Sequence, residues 1–399
     1  MDDAARWLAE QLPAMEAALA ALVEVNSFTG HREGGLKVGE RLLEVFRMPG
    51  LEAEVVDSAR YAPHLVFKSD GRAGDKPVAL LGHLDTVFPP GSFEGYRVDG
   101  PRRRGPGVFD MKGGLVVMAW ALKAIARSGG LSRLPPLRLV IVSDEEEGSP
   151  EGASLIRRVV AGAGACLVFE PGRANDALVT QRSGTGSVRV KATGKAAHAG
   201  NAYWEGANAI WALSRFVDRA QQLSVRDTGV TVNVGTIRGG TSRNTVAAEA
   251  EAVLDVRAPT AMTYDGVLTG LEDAAQDLGV PGAQVTVERL TMRPPMERTR
   301  ESVALCESYS ACARRHGLGG GEAPRQGGGS DGNTAAAMGI PTIDALGPRG
   351  GGYHTPDEYI EVDTLVPRAA ALAEWLLGLG ELPPGRWVSR KPLESGQDG

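Results

Sequence analysis

The chain has 399 residues and a formal net charge of −6, with 42% hydrophobic and 23% charged residues. This length exceeds what one hydrophobic core usually supports, so two domains are expected. The acidic balance, without a basic stripe, excludes a nucleic-acid-binding protein. No apolar run reaches the roughly 18 residues of a membrane span, and the amino terminus lacks the features of a secretory signal. Three scattered cysteines, Cys166, Cys306 and Cys312, favour a cytoplasmic location over a disulfide scaffold.

The first half of the chain predicts an α/β domain. Helices are expected over roughly residues 3–25, over residues 33–50 with Gly50 as the stop, and over residues 110–129. The apolar strand-like runs that alternate with them read, in chain order, LEAEVVD, HLVFKS, PVALLGHLD, PPLRLVIVSDEEEG and GACLVFEPG. Strands and helices that alternate in this way indicate a mainly parallel sheet.

From about residue 184 the pattern changes to strand, helix, two strands, helix and strand. The order β-α-β-β-α-β is typical of the ferredoxin-like unit. We therefore predict a domain at residues 184–292 that is inserted into a first domain formed by residues 1–183 and 293–399. The last helix is expected at TLVPRAAALAEWLLGLG, with a loose tail after about residue 380.

Acidic residues and histidines recur where the apolar strands end and in two later loops. The members of this set are His83, Asp85, Asp110, Asp144–Glu147, Glu170 and His354. Ligands of α/β sheets bind beyond the carboxyl ends of the strands, so these five segments should meet at one rim. Imidazole nitrogens together with carboxylate oxygens suit zinc, cobalt or manganese. The set therefore predicts a metal site.

Each member of the set also has a plainer interpretation. A single histidine can be structural, DEEEG can be a solvated acidic turn, and Asp110 can cap the helix that follows it. The metal site is favoured because the members coincide in position after strands. Several carboxylates packed together would also repel one another without a cation.

Seven motifs extend the argument from residues 82 to 358. They read GHLDTV, GPGVFDMKGG, SDEEEGS, FEPG, GKAAHAG, GGGSDGN and GGYHTPDE. In this order they resemble the di-zinc metallopeptidase family that includes glutamate carboxypeptidase, acetylornithine deacetylase, succinyl-diaminopimelate desuccinylase and aminoacylase. The likeness is greatest to bacterial glutamate carboxypeptidases. It implies an α/β catalytic domain with two divalent ions, zinc or alternatively cobalt or manganese, and an inserted ferredoxin-like lid and dimerisation domain.

The resemblance also implies roles for the metal-site residues. His83 and Glu170 would hold one ion, Glu146 and His354 the other, and Asp110 would bridge both. The peptide bond between Asp110 and Met111 would be cis, as it often is in such proteins.

Two further residues would assist at the metal site. Asp85 would orient His83, since the spacing in HLD places both side chains on one face of an extended segment. Glu145 would be the general base. Because DEEEG holds three consecutive glutamates, this register is an assumption based on alignment from Gly148 and Ser149.

The resemblance implies substrate contacts from the inserted domain and its exit. His198 would reach the active site of a partner subunit in a homodimer, Asn244 would contact the substrate, and Arg293 would hold its carboxylate. His198 can also be a plain surface histidine, and Arg293 a hinge residue paired with Glu297. The basic residue that some glutamate carboxypeptidases have shortly after FEP has no clear counterpart except Arg173, which leaves a preference for glutamate unsupported.

The function implied is metal-dependent hydrolysis of the amide bond in small N-acyl amino acids or short peptides with a free carboxylate, as in glutamate carboxypeptidases. The alternative is an N-acetyl amino acid deacylase similar to acetylornithine deacetylase. A binding protein without catalysis is disfavoured because the ligands and the base are all present. A phosphate-binding loop is excluded at residues 327–329, where the required Gly-Lys-Ser/Thr pattern is absent.

Overall fold

The computed structural model describes residues 3–383. Its helices are α1 (Asp3–Ala9), α2 (Leu12–Val23), α3 (Arg32–Val45), α4 (Gly113–Arg127), α5 (Gly152–Val159), α6 (Ala209–Gln221), α7 (Ala261–Ala274), α8 (Arg300–Arg315), α9 (Gly332–Ala336) and α10 (Leu365–Gly380). Its strands are β1 (Glu52–Val56), β2 (His64–Ser69), β3 (Val78–His83), β4 (Arg97–Asp99), β5 (Arg102–Arg104), β6 (Leu137–Val142), β7 (Ala165–Val168), β8 (Gly184–Thr193), β9 (Thr231–Gly239), β10 (Glu249–Ala258), β11 (Gln284–Arg293), β12 (Thr342–Ile343), β13 (Gly350–Gly351) and β14 (Tyr359–Glu361).

The chain divides into two compact units. The first comprises residues up to Thr180, Arg298–Arg325 and residues from Ser330 onward, and the second comprises Gln181–Glu297 and Gln326–Gly329. None of the helices within residues 3–383 is long and apolar enough to cross a membrane.

The first unit is built on a six-stranded sheet in the order β1-β2-β6-β3-β7-β12. The strands from β6 to β12 pair in parallel, whereas β1 and β2 form an antiparallel edge. All six residues of β3 are buried, which explains why its sequence is apolar up to His83. The predicted mainly parallel α/β fold is confirmed.

The second unit has a four-stranded antiparallel sheet in the order β11-β8-β10-β9. With α6 and α7 it forms the β-α-β-β-α-β arrangement that the sequence predicted. Residues along β10 alternate between more and less exposed, as expected for a sheet covered on one face. Both helices begin at a side-chain cap, because Asn208 accepts a hydrogen bond from the backbone of Trp211 and Thr260 accepts one from Thr263.

The first two predicted helices are wrong in extent. The helix expected over residues 3–25 is two helices, α1 and α2, because Pro13 lacks the backbone N–H that would donate to the carbonyl of Ala9 and continue the hydrogen bonds of α1. The helix expected to end at Gly50 ends at Val45, ahead of Pro49 for the same reason. The loose tail predicted after residue 380 falls mostly on residues 384–399, which lie outside the described part of the chain.

Candidate metal centre

Parallel strands bring the predicted metal-site residues of the first unit to one edge of the sheet. His83 is the last residue of β3, which lies between β6 and β7. Glu145 and Glu146 follow β6, and Glu170 follows β7. The carboxyl ends of the three strands point the same way, so the side chains that follow them meet at the sheet edge where ligands bind in this class of fold.

Asp110 lies between two histidines that come from distant parts of the chain. Its Oδ1 is 3.2 Å from Nε2 of His83, and its Oδ2 is 3.4 Å from Nε2 of His354. On the first side, His83 Nε2 is also 3.8 Å from Oε1 of Glu170. On the second side, His354 Nε2 is 3.3 Å from Oε2 of Glu146. The two carboxylate oxygens of Asp110 therefore face two separate groups of donor atoms.

These separations fit divalent metal ions. Two ligand atoms that bind one ion at about 2.0–2.2 Å with tetrahedral geometry lie about 3.3–3.6 Å apart. Three of the four distances given above are within about 0.1 Å of that range, and the distance from His83 to Glu170 is slightly longer. The donor set, two imidazoles and several carboxylates, is also the chemistry that zinc, cobalt and manganese accept.

The electrostatics of the cluster point to a cation as well. Burial, together with the charge of Asp110, raises the pKa of Glu146 to about 8 and raises that of Glu170 well above its ordinary value. Contacts with Asp110 and Glu146 raise the pKa of His354 to about 10. The cluster thus gathers more carboxylates than its two imidazoles can neutralise, and a divalent cation would stabilise their charged forms.

Asp85 connects His83 to the acidic turn after β6. Its Oδ1 lies 3.3 Å from His83 Nδ1, and its two oxygens accept hydrogen bonds from the backbone N–H groups of Glu145 (3.2 Å) and Glu146 (3.1 Å). The hydroxyl of Thr29 donates to Oδ2 at 2.8 Å. Asp85 therefore supports the first histidine and the turn that supplies two glutamates, as a residue that orients metal ligands would.

The three glutamates of the acidic turn have different surroundings. A carboxylate oxygen of Glu145 lies within 4.8 Å of ligand atoms of both His83 and Glu170, and Glu146 faces His354. Glu147 instead accepts hydrogen bonds at 2.8 Å from the hydroxyl of Tyr61 and the guanidinium of Arg60. The structure therefore brings the first two glutamates to the cluster and directs the third away from it.

Two aspartates of the predicted set contribute differently from one another. Asp144 accepts hydrogen bonds from the backbone N–H groups of Glu151 and Gly152 at the start of α5, so it does not join the cluster. Asp110 does not cap α4, which starts three residues later with Lys112 in the cap position. The helix predicted over residues 110–129 is thus too long at its start.

The peptide bond between Asp110 and Met111 is cis, as the family resemblance implied.

Sequence reasoning missed two residues that hold the loop around Asp110. The buried carboxylate of Glu358 accepts hydrogen bonds from backbone N–H groups of this loop. The buried amine of Lys112 lies 3.2 Å from the carbonyl oxygen of Val25 and 3.4 Å from that of Pro106, and burial lowers its pKa to about 7. Both residues belong to quoted motifs, GGYHTPDE and GPGVFDMKGG, but residue type alone did not separate them from ordinary surface charges.

The geometry of the cluster agrees with comparisons to known proteins. A profile of peptidase family M20/M25/M40 matches residues 79–378, three quarters of the chain. The chain belongs to this family. It is therefore a hydrolase of the M20 metallopeptidases, and the family predicted from the sequence motifs is confirmed.

Two relatives match nearly the whole chain. Carboxypeptidase G2 from a Pseudomonas species is 31% identical over 377 residues, which cover 93% of this chain and 90% of the relative. Acetylornithine deacetylase from Myxococcus xanthus is 28% identical over 392 residues, covering 92% of this chain and 97% of the relative.

Solved structures show the same fold at lower sequence identity. Aminopeptidase PepT from Bacillus cereus superposes with a TM-score of 0.78 at 23% identity, covering 93% of this chain and 99% of that one. A metallo-carboxypeptidase of the M20 family from Sulfolobus solfataricus has a TM-score of 0.73 at 18% identity, covering 92% of this chain and 99% of that one.

The second unit of this M20 protein holds the residues predicted to contact substrate. His198 is exposed, and its Nδ1 accepts hydrogen bonds at 3.2 Å from the backbone of Gly200 and Asn201. In the neutral ring the proton is then on Nε2, which makes that atom a donor. The backbone carbonyl of Asn244 accepts a hydrogen bond from Ala199, so the segment of Asn244 lies beside that of His198.

Two arginines, Arg182 and Arg293, lie close to where the chain enters and leaves the second unit. Arg293 is the last residue of β11, and a Cβ placed on Gly329 would lie only 2.8 Å from its Cδ, so the two pack closely. Arg182 donates to the carbonyl oxygen of Gly328 at 3.1 Å. Glu297, the alternative partner considered for Arg293, accepts a hydrogen bond from the backbone of Ala261.

Proposed function

We propose that this protein is a metal-dependent amidohydrolase that cleaves the amide bond of small N-acyl amino acids or short peptides with a free carboxylate. The observation that carries the proposal is the position of Asp110 between two groups of donor atoms, His83 with Glu170 and His354 with Glu146. The similarity to carboxypeptidase G2 supports a carboxypeptidase. The similarity to acetylornithine deacetylase supports the alternative, an N-acetyl amino acid deacylase.

Two divalent ions, zinc or alternatively cobalt or manganese, would be held by the five residues of these two groups, with Asp110 shared. When bound, they would supply Lewis acidity that polarises the scissile carbonyl and makes a water molecule more acidic. Asp85 would keep the His83 ring in its binding orientation through the contact at Nδ1.

Glu145 is proposed as the general base. It takes a proton from the attacking water and delivers it to the nitrogen of the leaving amine. Its place beside His83 and Glu170 supports this role. Asn244 would contact the substrate, and Arg293 would hold its free carboxylate, since a guanidinium matches a carboxylate with two parallel hydrogen bonds.

His198 is proposed to donate a hydrogen bond from Nε2 to the oxyanion that forms during amide cleavage. Its proposed site of action is the active site of a partner subunit in a homodimer. A dimer through the second unit is supported by edge strand β9 and by apolar side chains exposed to solvent on β9 and α6. Ile237 is 59% exposed and Trp211 is 46% exposed. Such exposed apolar groups often mark interaction surfaces.

A cytoplasmic location is proposed as well. The three cysteines are free and buried, which agrees with a reducing compartment.

The proposal predicts activity that depends on metal and on a free carboxylate. Protein loaded with zinc, cobalt or manganese should hydrolyse members of a panel of N-acyl amino acids and dipeptides, and a chelator should abolish this activity. Amidation of the substrate carboxylate should lower kcat/KM by about 10- to 100-fold, the contribution of a charged hydrogen bond. Hydrolysis rates across the panel provide the measurement, and a clear preference for N-acetyl substrates would favour the deacylase.

Two results would contradict the proposal. If no metal-loaded form hydrolyses any amide of the panel, the function is wrong. If free and amidated substrates react equally well, recognition of the carboxylate is wrong while the hydrolase remains.

The dimer proposal predicts complementation between two inactive variants. His198→Ala and Glu145→Gln proteins should each be nearly inactive, because one lacks the oxyanion donor and the other lacks the base. After subunit exchange, a mixed dimer contains one active site with an intact Glu145 and an intact His198 from the partner. Activity measured after mixing should therefore rise above both single variants. Verified exchange without recovery would show that His198 does not act across subunits.

A further inference from the structure

The buried carboxylate of Glu358 accepts three hydrogen bonds from the loop that leads into Asp110. Its Oε1 accepts hydrogen bonds from the backbone N–H groups of Phe109 (2.8 Å) and Asp110 (2.9 Å). Its Oε2 accepts one from Gly107 at 3.0 Å. One side chain thus satisfies three backbone donors of a loop that has no strand partner at these positions to satisfy them.

The backbone of this loop is irregular, so it needs such support. Gly107 has φ of +73°, in the left-handed region, and both Asp110 (φ −116°, ψ 92°) and Met111 (φ −133°, ψ 34°) have non-helical backbone angles. A carboxylate that binds N–H groups on both sides of Phe109 fixes the direction in which the chain enters Asp110. Charge-assisted hydrogen bonds of this kind are roughly twice as strong as neutral ones.

Glu358 also belongs to the segment that supplies the second histidine. It is four residues after His354 and directly precedes β14, which pairs with β5 and β13. The same short segment therefore presents His354 to Oδ2 of Asp110 and holds the backbone of Asp110 through Glu358. A shift of this segment would move both contacts together.

We infer that Glu358 is a positioning residue that sets the bridging ligand Asp110 against His354 and so determines whether both metal ions are bound. This inference rests on the proposed two-metal function. Glu358 would not touch substrate or ions, and its effect would pass through the loop at residues 107–110. Residues that orient metal ligands in this way typically change metal affinity by about 10–100-fold when they are replaced.

The test is metal binding by Glu358→Gln and Glu358→Asp. Glutamine keeps the size but turns one acceptor into a donor that faces a backbone N–H, and aspartate keeps the charge but is shorter by one methylene. Titration with cobalt, followed by visible absorbance, and competition for zinc with a chromophoric chelator should show two tight equivalents in wild type. In both variants at least one equivalent should be about 10–100-fold weaker, and activity should recover in part when the metal concentration is raised.

Glu361→Gln is the matched control. It removes a carboxylate three residues away that pairs with Arg349 at 2.9 Å and not with the loop. It should bind both equivalents as wild type does.

The outcomes separate this inference from the proposed function. Wild type that binds fewer than two equivalents would overturn the two-metal function. Wild type with two equivalents and a Glu358→Gln variant that binds both equally tightly would overturn only the role of Glu358. The role is also overturned if Glu361→Gln loses metal to the same extent, or if circular dichroism shows that both Glu358 variants fail to fold.

Discussion

Replacing Glu145 with glutamine is expected to lower kcat by about 10²–10⁴-fold, the usual contribution of a positioned general base. Glutamine has the same shape but cannot take a proton from water. The metal content should stay at the wild-type value, because the five proposed ligands remain. The measurement is steady-state kinetics with elemental analysis of the same sample. A Glu145→Gln variant with kcat near wild type would refute the role of this residue as the base.

The neighbouring glutamates supply matched comparisons. Glu146→Gln removes an anionic donor that faces His354 at 3.3 Å, so it should lower metal occupancy as well as activity. Glu147→Gln should keep both, because its carboxylate binds Tyr61 and Arg60 instead. Three adjacent substitutions thus give three different results if the register of DEEEG is correct. A different order of effects would shift the register by one residue.

The site could be anticipated from the sequence because parallel strands impose a simple geometry. An apolar run that is buried on both faces indicates a central strand, and a polar residue at or just after its end emerges at the edge of the sheet. This applies to His83 and Glu170, which the structure brings together with Asp110, Glu146 and His354. Their role as metal ligands stays a prediction.

Contacts that depend on loop conformation could not be predicted from patterns in the sequence. Glu358 lies 251 positions from Gly107 in sequence, and no periodicity relates a carboxylate to backbone N–H groups so far away. Proline acts on its immediate neighbours, but the regular apolar spacing around Pro13 favoured one continuous helix, and the break between α1 and α2 was therefore not predicted. Hydrophobic pattern therefore predicts the strands and their ends better than the loops between them.

A second group of buried charges lies in the first unit and was not evident from the sequence. Arg368 of α10 is fully buried, and its Nη2 lies 2.9 Å from Oδ1 of Asp176. Oδ2 of Asp176 is 2.9 Å from Nη1 of Arg349 and accepts a hydrogen bond from the backbone of Gly319 at 2.8 Å. Through one carboxylate, Asp176 in the loop after β7 therefore joins α10, the residue before β13 and the loop after α8.

Replacing Asp176 with alanine should lower the free energy of unfolding by about 3–5 kcal/mol, because it leaves the guanidinium of Arg368 buried without a counter-charge. The double variant Asp176→Leu with Arg368→Leu should lose less than the alanine variant does. It removes the buried charge itself, and Arg349 is partly exposed and can be hydrated.

The matched control is Asp99→Ala, which breaks a pair with Arg104 in which Asp99 is more than half exposed. Solvent screens such a pair, so the loss should be no more than about 1 kcal/mol. Urea unfolding of metal-free protein, followed by circular dichroism, measures all three variants without added stabilisation from bound metal. Equal losses for Asp176→Ala and Asp99→Ala would mean that Arg368 finds another partner or water when Asp176 is absent, and the buried pair would then contribute no more than a surface pair does.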